Sequence, residues 1–396
     1  MIPELPMLSF TLENGVTFTY TDSGPVTNGD DYPTLVIIHG HTFHAGTFQR
    51  LHPLASANGL RVVCINRREY GGSSLYREDE LAVFTTGSEQ ERVELVAAQG
   101  RDLALCVDGI VQTLSLPKAG GVALCGWSLG VSFLCSLLAS IDALPEPTRE
   151  RLSEWVHTAI IFQAPTLSLG MPIPDGLLMP HTDPAIAVAD KAAAFANWVS
   201  AFFEHGDLSK RAISELVYPA PANPKKTPTL ARIQPGELMT MVDFAPGKRY
   251  DDIFGAPQYR QLLHNQTQRA LWSTTVREAW ERMYEKRGLW VISGTAEPWN
   301  VVQAPWLLEE ESSKHPDLAL NFELLPGVNH FLVWEDPQHA LDVFKKCIET
   351  TPDSSAPSVS GSGSARSDRL WAFCAPMYSG IQQMWAAARK FVLRSA

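Results

Sequence analysis

The chain has 396 residues, 45% of them hydrophobic and 19% charged, which suits one large α/β domain with an insertion or two modest domains and excludes a wholly disordered polypeptide. A formal charge of -11 opposes general affinity for nucleic acid, and no basic stripe interrupts the first 350 residues. The opening Met1-Ile2-Pro3-Glu4-Leu5-Pro6 lacks a secretory signal pattern, and no run approaches the ~18 apolar residues of a membrane span, so the expected location is cytoplasmic.

In chain order, Leu8 to Leu12 and Val16 to Tyr20 alternate apolar and polar residues around Asn14-Gly15 and predict a β-hairpin. Leu35 to Ile38 and Leu60 to Ile65 read as inner strands of a parallel sheet, with a helix over 46–58 between them. A long helical pattern from Glu89 to Leu114 leads into the strand Val122 to Cys125, and Thr158 to Phe162 supplies another strand ending at Gln163-Ala164-Pro165. This alternation predicts a mostly parallel, doubly wound α/β sheet. From 166 to 285 the pattern gives way to proline-rich sequence with helical stretches at Ala192 to Phe203 and Tyr259 to Tyr284, which reads as an inserted lid. The strand Leu289 to Ser293, a helix near 302–314, a strand at Leu318 to Leu325 and a helix from Pro337 to Glu349 complete a core that is discontinuous in sequence, 1–165 with 286–351. Residues 352–367 have linker composition, and 368–396 form an amphipathic, basic helical pattern suited to a membrane surface, a partner's groove or the protein's own surface. The six cysteines lack CxxC spacing and read as buried free thiols.

Gly126-Trp127-Ser128-Leu129-Gly130 joins a strand to a helical pattern. A serine on so sharp a turn tolerates only small residues two positions before and after it, and glycines stand at both. A serine hydroxyl needs a base to take its proton and a carboxylate to orient that base. Glu297 follows the strand Leu289 to Ser293 and is the leading acid, with Asp243, Asp251 and Asp252 as alternatives, while His330 follows the next strand and is the leading base. Trp127 and Trp299 flank these positions, and His41 and His44 follow the strand ending at Ile38, where their side chains could meet a substrate. There is no Gly-x-Gly-x-x-Gly after the first strand, no Walker loop and no His-Glu-x-x-His pair, so no cofactor or metal is expected.

Over residues 8–350 the chain resembles the α/β-hydrolase superfamily. Ile38-His39-Gly40 is similar to the family's His-Gly step, Arg68-x-Tyr70-Gly71-x-Ser73 to its Asp-x-Arg-Gly-x-Gly-x-Ser loop with Asn66 and Glu69 departing from it, Gly294 to Pro298 to its acid segment, and His330-Phe331 to its base segment. The resemblance implies an eight-stranded sheet and an oxyanion hole built from the backbone N–H groups of His41 and Leu129. A serine at the nucleophile position, where dehalogenases and epoxide hydrolases carry aspartate, implies acyl transfer. The expectation is hydrolysis of a carboxylic ester or lactone of a medium-sized, mainly hydrophobic substrate through Ser128, His330 and Glu297. The alternatives are a thioester, amide or carbon–carbon hydrolase, or a hydrolase-like protein that holds a ligand without turnover.

Overall fold

The computed structural model describes residues 6–27, 29–221, 224–318 and 320–350; the linker and the basic C-terminal segment predicted above lie outside them. Eight strands form one sheet: β1 (Leu8–Thr11), β2 (Thr17–Asp22), β3 (Thr34–Ile38), β4 (Arg61–Ile65), β5 (Val122–Trp127), β6 (Val156–Phe162), β7 (Leu289–Gly294) and β8 (Asn321–Leu325). Their order is β1-β2-β4-β3-β5-β6-β7-β8. Only the hairpin end is antiparallel, at β1/β2 and β2/β4, and the remaining pairs run parallel. The hairpin turns where expected, with Gly15 at φ 85° and the Asn14 side chain accepting from the Val16 N–H at 3.0 Å.

β3, β4 and β5 are buried along their whole length because helices cover both faces. Val36 and Ile38 point to the layer of α1 (Glu89–Thr113) and α2 (Gly130–Ala139), whereas Leu35 and Ile37 point to that of α9 (Pro337–Glu349). Each such Leu or Ile is worth about 1.5–3 kcal/mol of burial, so the two layers fix the sheet and bring its C-terminal ends to one edge. α1 starts where Ser88 and Glu91 form a reciprocal capping box. The helix expected over 46–58 is broken into a 3-10 turn (Ala45–Phe48), one α-helical turn (His52–Ala55) and a second 3-10 turn (Ser56–Asn58), with Pro53 at the start of the middle piece. All five described cysteines are buried and free.

The segment between β6 and β7 does not behave as one unit. Its first part carries α4 (Lys191–Val199) among short turns. Its last part, read as one helical stretch, is three helices, α5 (Pro257–Trp272), α6 (Thr274–Ala279) and α7 (Glu281–Lys286), interrupted at Ser273 and Trp280. These pack on the core: Gln266 Nε2 donates to Ser132 O at 2.6 Å, Trp280 Nε1 to Leu138 O at 3.0 Å and Arg269 Nε to Ala139 O at 3.0 Å, all on α2 or its end. Residues 257–286 therefore pack against the core through α2. Among the described residues no helix is long and apolar enough to cross a membrane.

The turn from β5 into α2 is packed too tightly for any side chain. A Cβ on Gly126 would stand 2.9 Å from Gly130 O and Leu134 Cβ, and one on Gly130 would stand 2.2 Å from Ile38 O and 2.6 Å from His39 O. Backbone atoms cannot swing aside, so Gly130→Ala should lower stability by about 2 kcal/mol or more. Urea unfolding checks this, and a variant within 0.5 kcal/mol of wild type would contradict the steric account.

Candidate active site

Ser128 sits at the end of β5 with φ 56°, in the left-handed region that costs a non-glycine residue about 1–2 kcal/mol. The turn is held by its N–H, which donates to Phe162 O at 3.0 Å, and by its carbonyl, which accepts from Val131 N at 3.1 Å. Its side chain is half-buried, at the edge where the parallel strands end. Because Ile38 and Gly126 are in register, the backbone leaving β3 runs beside the serine. A Cβ on Gly40 would lie 2.9 Å from Ser128 Cβ and 3.3 Å from Oγ. Among the described residues, the N–H groups of His41 and Leu129 have no hydrogen bond to a protein acceptor.

His330 lies in the loop after β8, with the Trp127 indole stacked on its imidazole at 5.2 Å and 28°. Burial pushes its pKa down to about 3, and Nδ1 is buried with no hydrogen-bond partner. Glu297, in the loop after β7, is fully buried, and neither carboxylate oxygen has a hydrogen-bond partner. Burial pushes its pKa well above the ordinary value, offset only in part by the neighbouring Gly294 backbone and Gln163 side chain. The loops carrying acid and base are joined through Ala296 N, which donates to Val328 O at 3.0 Å. No hydrogen bond links Glu297 to His330, or His330 to Ser128. The three residues share one edge of the sheet with their hydrogen-bond chain open.

The other acids are engaged elsewhere. Asp251 is ion-paired with Arg67, Asp252 with His41, and Asp243 accepts from Ala245 N at 3.0 Å. The tryptophans expected to line a pocket present no open face. Trp127 is 1% exposed, stacked on His330 and bonded through Nε1 to Gln163 Oε1 at 2.9 Å, while fully buried Trp299 donates to Leu178 O at 2.7 Å. His44 Nδ1 accepts from Gly46 N at 3.3 Å, capping a 3-10 turn, and burial lowers its pKa to about 4. Its Nδ1 is thus engaged with the turn that follows it.

Gln163 went unrecognised as a site residue. Fully buried at φ 54°, it accepts from Trp127 and donates through Nε2 to Asn329 O at 2.9 Å, fixing the tryptophan and the histidine loop together. The only sequence signal was a polar residue at the end of an apolar strand.

Glu297 yields a pH prediction. A carboxyl whose folded pKa lies above its unfolded value near 4.5 loses stability as pH rises from 4.5 toward the raised value, at about 1.4 kcal/mol per unit. Glu297→Gln lacks that loss, so its stability advantage over wild type should widen between pH 5 and pH 7. Urea melts at both values test this, and a constant gap would show that the carboxylate is paired.

A sequence profile described as the alpha/beta hydrolase family matches residues 35–342. Solved structures with similar chains include a bromoperoxidase from Bacillus anthracis (15% identity, 87% of this chain and 99% of that one, TM-score 0.44). Others are the esterase RhEst1 from Rhodococcus sp. ECU1013 (17%, 86% and 98%, TM-score 0.43) and Epoxide Hydrolase A from Mycobacterium thermoresistibile (16%, 86% and 98%, TM-score 0.43). No curated protein matches the sequence significantly. With the profile spanning most of the chain and the eight-stranded sheet in place, the protein belongs to the alpha/beta hydrolase family.

Proposed function

We propose that the protein is a serine hydrolase acting on a carboxylic ester or lactone of a medium-sized, mainly hydrophobic substrate. The observation that carries this reading is Ser128 held at φ 56° on the turn between β5 and α2, with the backbone of Gly40 packed against its side chain. Ser128 Oγ attacks the acyl carbon and its proton passes to His330 Nε2, while the carbonyl oxygen takes up negative charge between the His41 and Leu129 N–H groups. The alcohol then leaves with the proton from His330, and water activated by the same imidazole releases the acid and regenerates the serine. The indole face of Trp127 favours the imidazolium that forms between these steps.

Glu297 is the carboxylate of this triad. Two buried polar groups without partners each cost about 1–3 kcal/mol, and closing Glu297 onto the Nδ1–H of His330 removes both penalties as the imidazole becomes charged. The insertion before Pro257 serves as the lid over the acyl pocket, a role supported by its backbone contact with the strand leaving β3: Phe43 pairs with Val242, and His44 N donates to Met241 O at 3.0 Å. A second reading, a hydrolase-like protein that binds without turnover, draws on the open contact between Glu297 and His330.

A fluorophosphonate probe with site mapping by mass spectrometry separates the two readings. Labelling at Ser128, lost in Ser128→Ala together with hydrolysis of short and medium-chain p-nitrophenyl esters, is the expected result. Labelling elsewhere, or undiminished hydrolysis in the variant, would defeat the assignment. Glu297→Gln should lower kcat by about 100-fold or more while the protein stays folded. If Glu297→Gln keeps kcat within about threefold of wild type, the acid is wrongly assigned.

A further inference from the structure

The strand that leaves β3 through His39, Gly40, His41 and Thr42 is held from below by a buried ion pair that the triad does not use. Arg67, just after β4, is 1% exposed, and its partner Asp251 is 2% exposed and belongs to the insertion. The pair is bidentate, with Nη1 to Oδ1 at 3.0 Å and Nη2 to Oδ2 at 2.7 Å. The same guanidinium donates through Nε to His39 O at 3.1 Å and through Nη2 to Gly40 O at 2.8 Å. Tyr70 completes the cluster. Its hydroxyl donates to Asp251 Oδ2 at 2.5 Å and accepts the N–H of Thr42 at 3.0 Å.

Three of the four residues that follow β3, His39 and Gly40 before His41 and Thr42 after it, are thereby fixed by one charged cluster. Thr42 has φ 67°, an uncommon value for a β-branched residue that persists only where its surroundings over-determine it. Asp243 N donates to Thr42 O at 2.8 Å, and Asp252 accepts from or pairs with His41 Nε2 at 2.8 Å, so the insertion holds the strand from a second side. Asp251 and Asp252 are adjacent in sequence, one bound to the Arg67 that holds the carbonyls of His39 and Gly40 and the other to the His41 side chain.

We propose that Arg67, Asp251 and Tyr70 form a positioning lock through which the inserted segment sets the His41 N–H against Ser128, so that the insertion and the oxyanion hole act as one unit. The inference rests on the serine-hydrolase reading. None of the three touches the reacting atoms. Arg67 supplies four donations from one planar group, which a lysine cannot reproduce, and it acts on the oxyanion rather than on the proton transfer.

The test uses the full chain. Removing Arg67 alone would strand a buried carboxylate and threaten folding, so the pair is replaced as Arg67→Met with Asp251→Leu, which restores an apolar contact of similar volume. Tyr70→Phe is the second variant, removing only the hydroxyl that joins Asp251 to Thr42. Thermal midpoint, kcat and KM on p-nitrophenyl butanoate, and the rate of Ser128 labelling by a fluorophosphonate are measured for both. The lock predicts a fall of about 10–100-fold in kcat and in labelling rate, KM within about threefold and the midpoint within a few degrees for Tyr70→Phe, because a misplaced oxyanion donor weakens the transition state more than the ground state. Retention of kcat and labelling within twofold in both variants overturns the inference, as does a change confined to the thermal midpoint. If the double variant does not fold, Tyr70→Phe decides the matter. Absence of Ser128 labelling in wild-type protein would instead sink the hydrolase reading itself.

Discussion

Two stretches of backbone meet at the C-terminal edge of the sheet with no side chain between them: the strand leaving β3 and the turn from β5 into α2. Gly130 lies against the carbonyls of Ile38 and His39, and Gly40 lies against Ser128. This contact sets the depth at which α2 starts, beside the left-handed backbone of the serine. The covering helices, the acid and base loops and the insertion all take their positions from an edge built this way. Packing of this density transmits small displacements instead of absorbing them, which is why the support under Gly40 matters as much as the serine above it.

The readable part of the fold was the part governed by local rules. Inner strands appeared as continuous apolar runs because they are buried on both faces, and the two glycines around Ser128 appeared because sterics forbid anything larger. The positions of Glu297 and His330 just past strand ends were readable as polar residues following apolar runs. The partners that join distant segments were not. Arg67 and Asp251 stand 184 residues apart, and which aspartate meets which arginine depends on the path of an irregular insertion with no periodic pattern. The packing of residues 257–286 on α2 was unreadable for a related reason: an amphipathic, Trp-bearing helix has the same pattern wherever its apolar face is buried, and only contacts such as Trp280 to Leu138 show against what.

The buried polar groups divide into two kinds. Gln163, Arg67 and Tyr70 are satisfied through their neighbours and make that part of the edge rigid. Glu297 and His330 Nδ1 are buried without partners, a costly arrangement that a structure retained for stability alone would replace with apolar side chains. Their loops are nonetheless tied together, so the separation is confined to the two side chains. The satisfied groups hold the frame, and the unsatisfied pair lies within it.

Asp251 also bears on how such a chain can diversify. An insertion attached to the sheet only at its two ends would be a module, open to exchange or to changes of length without disturbing the edge beneath. Here the insertion carries the counter-ion of a guanidinium that the core has already buried. A graft of another insertion that lacks an acid at this point would leave that charge without compensation beneath Gly40. The chain around Asp251 is therefore bound to the core through a charge that the core cannot leave unpaired.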